Sequence, residues 1–305
     1  MSASQPASVL ATPKLELKHI LVTTDFSDCS RSALKQAAAI ARLHSSNLLV
    51  LHIAEPEPIL YAGLESNSWD RQAVVDKARQ EMQAFKREEA LAGVRHEFLV
   101  ETGALEDVLR KVILDRDISM IVVGTHGRSG LKKMIIGSVA EEIFRLASCP
   151  VLTIGPDIQP ALLTHGRFQS VIFATDFSEG SRHALPYAVG FAQESQAHLT
   201  LMHVLDEGSV TAVYLHAELA MQAKSRLQQM AREYLSSTIA FDIEIADGYP
   251  VEQILRIARK NQSDLVVLGV HKSSGIGARA SAHLPWTIAQ SVVCHAKCPV
   301  LTVRG

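Results

Sequence analysis

The chain repeats itself, and that feature restricts its fold more than any other. Residues 19–53 align without a gap to residues 170–204, with twelve of thirty-five positions identical, including Thr24-Asp25-Phe26-Ser27 against Thr175-Asp176-Phe177-Ser178 and His52 against His203. Gly103 and Gly124 stand as far apart as Gly248 and Gly269, and CPVLTI at 149–154 returns as CPVLTV at 298–303. Repetition at this period means two copies of one compact unit, and 305 residues is the length of two ordinary domains. The expected division is a tail over 1–18, a first domain over 19–155, a linker over 156–167 with Gly and Pro punctuation, and a second domain over 168–305.

Within each copy short β-branched runs alternate with helical patterns, which argues for crossover units and a parallel sheet. Apolar residues make up 47% of the chain and aromatics only 5%, so the core is built from Ala, Val, Leu and Ile. Strands are expected near 19–24, 47–54, 95–101, 118–123 and 149–154, and helices near 28–44, 68–91, 105–116 and 137–147. The second copy follows with strands near 170–174, 198–204, 240–245, 264–269 and 298–303. The fold class is therefore α/β: two tandem doubly wound domains, each a five-stranded, mainly parallel open sheet with helices on both faces. In such sheets ligands bind beyond the carboxyl ends of the strands, where strand order reverses. That rule points to Thr24-Asp25, to His52-Ile53-Ala54 and to the segment after Val123.

Several function classes are disfavoured. A net charge of −2 without a run of Lys or Arg gives nucleic acid nothing to grip. No eighteen apolar residues run together and the first eighteen residues lack a leader pattern, so no membrane span is expected and the location is read as cytoplasmic. Cys29, Cys149, Cys294 and Cys298 form no CxxC pair. The cluster Cys294, His295, Cys298 has a zinc reading, set against structural thiols in a reducing compartment, and no metal site is assigned. His52 and His203 are read as satisfied core histidines rather than pH sensors.

After the fourth strand the chain reads Gly124-Thr-His126-Gly127-Arg128, with Gly137-Ser138-Val139 opening the next helical pattern. Glycines that turn the backbone, followed by a helix start with unpaired amides, suit a phosphate, and Arg128, Lys132 and Lys133 add charge nearby. Neither GxxxxGK[ST] nor GxGxxG is present. The pattern G-x2-G-x9-G-[S/T] over 124–138 resembles the nucleotide signature of ATP-binding universal stress proteins, and the TDFS block, LHI and CPVLT are similar to that family as well.

The resemblance implies that Asp25 contacts ribose or adenine, with Thr24 beside it, and that the backbone near Ile53 reads the adenine edge. It implies that Gly124, His126, Gly127, Gly137 and Ser138 cradle the phosphates of ATP, with Val139 continuing the helix start and Mg²⁺ riding on the triphosphate. It also implies a pseudo-twofold pairing of the two copies, a role in the stress response and an unidentified protein partner, and it allows a homodimer of the whole chain. A cap on the first helix is the alternative role of Asp25.

In the second copy Lys272 replaces the second glycine, or, counted back from CPVLT, four residues are inserted and Trp286 stands where Gly137 did. ATP is therefore expected in the first copy alone, although Gly275, Gly277 and Arg279 leave an anion loop open for an unnamed ligand. No HxGH or SGGxDS signature is present, so no catalytic residue is assigned. The reading is a nucleotide-sensing regulator; the alternatives are an interaction scaffold in which nucleotide is incidental, or a slow ATP hydrolase.

Overall fold

The computed structural model describes residues 15–54, 68–125, 136–163, 165–205, 213–270 and 283–305. They form two compact units, one built on 16–166 with 293–299, the other on 167–292 with Leu15 and 300–305.

In the first unit β1 (His19–Thr23), β2 (Asn47–Ala54), β3 (His96–Thr102), β4 (Met120–Gly124) and β5 (Val151–Ile154) lie in the order β3-β2-β1-β4-β5. Every pairing is parallel, with Leu21 between Leu49 and Ile121. The helices are α1 (Asp28–His44), α2 (Ser68–Phe85), α3 (Leu105–Asp115) and α4 (Ser138–Leu146). The order reverses at β1, so right-handed crossovers put α1 and α2 on one face and α3 and α4 on the other. The point of reversal, at the carboxyl ends of β1 and β4, is where open sheets of this kind hold their ligands.

Burial follows position in the sheet. The central residues Ile20, Leu21, Val22, Met120, Ile121 and Val122 are fully buried, as a strand covered on both faces requires. β3, at the edge, is exposed or half-buried throughout and carries Glu97 and Glu101, charges that discourage further strand pairing. Ser27 caps α1, its Oγ accepting from Ser30 N at 3.2 Å, and Ser45 ends the helix at φ 56°.

α2 stops at Phe85, short of the expected 91, and Glu89–Leu91 form a 3-10 turn. Phe85 and Leu91 are both buried. Six residues apart they fall on different faces of a 3.6-residue helix, so the chain tightens to bring both inward. Arg31 lies over the Phe85 ring and pairs with Glu88, which anchors this corner to α1.

The second unit repeats the plan. β6 (Ser170–Ala174), β7 (His198–Leu205), β8 (Phe241–Asp247), β9 (Leu265–Val270) and β10 (Val300–Arg304) are ordered β10-β9-β6-β7-β8, again parallel. Its helices are α5 (Glu179–Ser195), α6 (Val213–Tyr234), α7 (Pro250–Lys260) and α8 (His283–His295).

The two units tie down the start of their central strand differently. In the first, Ser119 Oγ accepts from His19 N at 3.1 Å and donates to His19 O at 2.8 Å. In the second, Asp264 accepts from Gln169 N at 2.7 Å and Ser170 N at 3.0 Å. Burial raises the Asp264 carboxyl above its usual 3.8, against the pull of those amides. A raised acid binds its proton more tightly when folded, so its contribution to stability is largest at low pH and declines as pH climbs from 3.8 through the folded value. Subtracting the melting profile of Asp264→Asn from that of the wild type should isolate this falling slope on the alkaline side of pH 3.8; a difference that rises with pH would contradict it.

Candidate functional site

The site begins where β1 ends. Thr24 is buried, bonds Ser30 Oγ at 3.0 Å and accepts from Phe26 N at 2.9 Å. Asp25 is half-buried, and its Oδ1 accepts from Ser27 N at 3.1 Å and Ser27 Oγ at 2.6 Å. These bonds hold Phe26 at φ 66°, a region that bulky residues rarely occupy. The second unit repeats the device, with Phe177 at φ 62°, Thr175 accepting from Phe177 N and Asp176 from Ser178 N, each at 2.9 Å. Ser27 is thus the helix cap, and Asp25 orders the turn in front of it.

Asn at position 25 keeps an acceptor for Ser27 and Ala does not. Asp25→Ala should lose about 2 kcal/mol of unfolding free energy, the worth of bonds to a charged acceptor, while Asp25→Asn, which keeps a neutral acceptor, should lose about half of that. Equal stabilities for the two variants in urea titration would remove the turn-ordering role.

The end of β2 lies beside this turn. His52 Nδ1 is 2.7 Å from Thr24 O, and since a carbonyl only accepts, Nδ1 carries the proton. His203 makes the same 2.7 Å bond to Thr175 O. Both rings lie against the left-handed phenylalanine, at 4.4 Å from Phe26 and 4.5 Å from Phe177. Ile53 follows, half-buried and paired with Glu101 of β3.

The third part follows β4. A Cβ on Gly124 would sit 3.0 Å from both C and Sγ of Cys29 in the first turn of α1. Gly124 therefore lets the helix start close on the strand end, and Cys29 donates to Ile154 O at 3.3 Å across the same corner. Thr125 is buried, donates to Ile154 O at 3.0 Å and accepts from Gly137 N at 2.8 Å. That last bond draws the two ends of the glycine segment together. Gly137 caps α4 at φ −62°, ψ 152°, a conformation open to any residue. The Gly137 amide is spent on Thr125, so the donors facing outward at this end are those of the first helical turn, from Ser138 and Val139 onward. Val139 is half-buried. His126, Gly127 and Arg128 lie outside the described residues, as does the Ser138 side chain.

The structure brings Thr24, Asp25, Ile53, Gly124, Gly137 and Val139 to the carboxyl ends of β1, β2 and β4 and the start of α4. What the sequence does not disclose is the left-handed Phe26, its ring on His52, and the reason for Gly124. Thr, Asp and Ser at this spacing are the residues that hydrogen-bond a backbone two positions on, which is the signal that could have found the turn.

In the second unit the fourth crossover is built differently. α4 has nine residues and α8 thirteen, so the four inserted residues become one more helical turn and move the helix start by about 6 Å. Trp286 lies within α8, whereas the matching Gly137 precedes α4. Pro285 is the third residue of α8, within the first turn where its missing N–H costs no helical bond. Gly275, Gly277 and Arg279, the candidate anion loop, lie outside the described residues, as does Lys272. Gly269 remains, and a Cβ there would overlap the Ser181 Cα and N and the Gly180 carbonyl carbon. At the ends of β6, β7 and β9 a cavity of about 110 Å³ persists, with Asp176 at its rim.

Among the described residues no helix is long and apolar enough to cross a membrane. Burial pushes the Cys149 thiol up to about 12 and raises that of Cys294, so neither is a ready thiolate.

Comparison with known proteins gives a consistent result. The profile described as the universal stress protein family matches twice, over residues 16–155 and 167–304. A universal stress protein of Mycolicibacterium smegmatis is 26% identical over 294 residues, spanning 93% of this chain and 96% of its own length. Universal stress protein YxiE of Bacillus subtilis is 29% identical over 143 residues, 44% of this chain but 97% of its own length, so a half-length relative matches one repeat. Among solved structures, a universal stress protein from Archaeoglobus fulgidus superposes with a TM-score of 0.70 at 19% identity, covering 95% of this chain and 99% of that one.

Proposed function

The chain belongs to the universal stress protein family, and on that premise we propose that it is an ATP-binding regulator of the stress response, with ATP held by the first repeat alone. The observation that carries this reading is the Thr125–Gly137 bond. It closes the segment with the G-x2-G-x9-G-S pattern beside the strand ends where the connections from β1 and β4 leave for opposite faces of the sheet, and sets the amino end of α4 there. The positive end of a helix and its outward amides favour a phosphate group there.

Thr24 and Asp25 follow β1 at the same strand end, and a carboxylate with four lone-pair sites can serve Ser27 and a sugar hydroxyl together. The backbone by Ile53 then meets the base, and His126, Gly127, Arg128, Ser138 and Val139 complete the phosphate end. Bound Mg²⁺ would neutralise phosphate charge and be held by phosphate oxygens and water. Among the described residues no three His, Cys, Asp or Glu side chains are grouped to hold a metal by themselves.

Occupancy has a path to the surface. A ligand on Asp25 bears on the strained Phe26, whose ring touches His52 and, edge-on at 5.6 Å, Phe85 at the end of α2. The partly exposed corner of Arg31, Glu88 and Glu89 is the place where a partner protein would read the state. The scaffold reading is favoured for the second repeat only, because its longer α8 displaces the helix start that a phosphate would use.

Calorimetric titration of the whole chain with ATP and Mg²⁺ tests this. Binding with a stoichiometry near one is expected. A value near two would place ATP in the second repeat as well, and absence of binding would overturn the proposal.

A further inference from the structure

The first unit carries a cavity of about 460 Å³ at the end of its sheet where the strands begin, opposite the glycine segment. That volume falls in the roughly 300–1,000 Å³ range of small-molecule sites. Leu49 and Ile118, both buried, line it with apolar surface. Its charges are set apart. Arg95, just ahead of β3, lies on one side, where its Nη2 donates to Ser45 O at 3.0 Å. Asp115 and Asp117 lie on the other, where Asp117 O accepts from His19 Nδ1 at 3.3 Å at the start of β1. β3 and β1 are two strand spacings apart, roughly 10 Å. Arg116 and Glu97, also in the lining, join through two bonds of 3.0 Å and neutralise each other.

The two aspartates are placed against local stability. Asp115 is the last residue of α3 and Asp117 stands one position beyond its cap, where the negative end of a helix disfavours acids. Both residues are exposed, and among the described residues neither carboxylate has a partner. The second unit shows that the fold does not need them. Its matching turn has Gln262 at φ 49° against Asp117 at φ 47°, yet Lys260, Gln262 and Ala240 occupy the places of Asp115, Asp117 and Arg95. There Asn261 donates to Thr200 Oγ1 at 3.2 Å and Ser170 Oγ lies 3.2 Å from Ser263 Oγ. These bonds tie the positions that match Arg116 to Leu49 and His19 to Ile118, pairs that cannot bond in the first unit because Leu49 and Ile118 are apolar.

A ligand with a charge of one sign meets a repelling group across this cavity, whereas a molecule with a cation at one end and a carboxylate at the other meets an opposite charge at each. We propose that the first repeat binds a zwitterionic dipeptide here. Its ammonium lies toward Asp115 and Asp117, its carboxylate toward the Arg95 guanidinium, and an apolar side chain rests on Leu49 and Ile118. His19, with Nδ1 spent on a carbonyl, keeps Nε2 as a further acceptor for the ammonium. An extended dipeptide spans at most about 7 Å, and the long Arg95 side chain covers the remainder. The carboxylate and guanidinium suit a paired, charge-assisted contact. Nothing in this depends on ATP in the same repeat.

Calorimetric titration of the whole chain with leucyl-leucine, with its N-acetyl form and with its C-terminal amide tests the proposal. Leucyl-leucine should bind with a stoichiometry near one, each blocked form should bind at least tenfold more weakly, and saturating ATP should leave the affinity unchanged. The variants all change exposed residues. Asp115→Asn combined with Asp117→Asn should erase the preference for leucyl-leucine over its N-acetyl form, and Arg95→Gln should erase the preference over the amide. No binding of leucyl-leucine, equal binding of the three forms, displacement by ATP, or either preference intact in the variant meant to erase it would overturn the proposal. A chain that binds no ATP would leave all of these expectations standing, so each idea can fail alone.

Discussion

Gly269→Ala should destabilise the second unit by about 3 kcal/mol, whereas Gly124→Ala should cost the first about 1 kcal/mol. At Gly269 the added methyl would overlap main-chain atoms of Ser181 and Gly180, which belong to the first turn of α5 and cannot rotate away. Relief requires the helix to lift from the end of β9, opening contacts along α5. At Gly124 the nearest atoms are the carbonyl carbon and thiol of Cys29 at 3.0 Å, and a shift of a few tenths of an ångström relieves that crowding. Replacing glycine also restricts the unfolded chain, which returns about 0.5–1 kcal/mol in both cases and leaves the asymmetry intact. Urea unfolding of the full chain, followed by probes in each unit, should show the Gly269→Ala transition displaced and the Gly124→Ala transition nearly in place. A Gly269→Ala protein as stable as wild type would mean that the close approach of α5 to β9 does not hold in solution.

The same pair of residues shows what a sequence conceals. Gly124 reads as the first glycine of a phosphate loop, and its spacing to Gly137 supports that reading. Yet Gly269 persists in the copy whose loop has lost the pattern, and in both units the missing side chain makes room for the first turn of a helix. A sequence records that a Cβ is absent, not which neighbour excluded it. Strands and helices are legible because their signals are local: α1 spans the expected 28–44 because Ser27 caps it and its apolar face recurs at helical spacing. Where long-range packing decides, sequence and structure part. The run to 91 has the pattern of one helix, but burial of both Phe85 and Leu91 breaks it. The expected start of β5 at 149 moves to Val151, because Pro150 has no N–H to give the ladder. The four inserted residues of the second copy are visible, but not whether they lengthen a loop or a helix, since Trp286 and Pro285 suit the first turn of α8 as well as a turn before it.

Gly127→Lys and Gly137→Trp copy into the first repeat the changes that the second one carries, and each should weaken ATP by at least a hundredfold. The reason is not backbone strain, because Gly137 sits at φ −62°, where tryptophan is at ease. It is proximity: outward amides at the start of α4 can reach a phosphate oxygen only if nothing stands on the capping residue, and an indole there covers the first turn. Gly127→Lys sets two influences against each other, since the added charge favours the anion while the side chain fills the approach; lost affinity shows that space outweighs charge. Gly137→Ala separates the two effects further, retaining the Thr125–Gly137 bond with a minimal side chain and an expected loss of about tenfold, or about 1.4 kcal/mol. Melting temperatures should fall only modestly for the position 137 variants, because the cap conformation strains no side chain and what is lost is the preference of an N-cap for Gly over Ala or an apolar residue. ATP affinity unchanged in both Gly127→Lys and Gly137→Trp would separate the glycine segment from the phosphates and leave the Asp25 turn as a structural device alone.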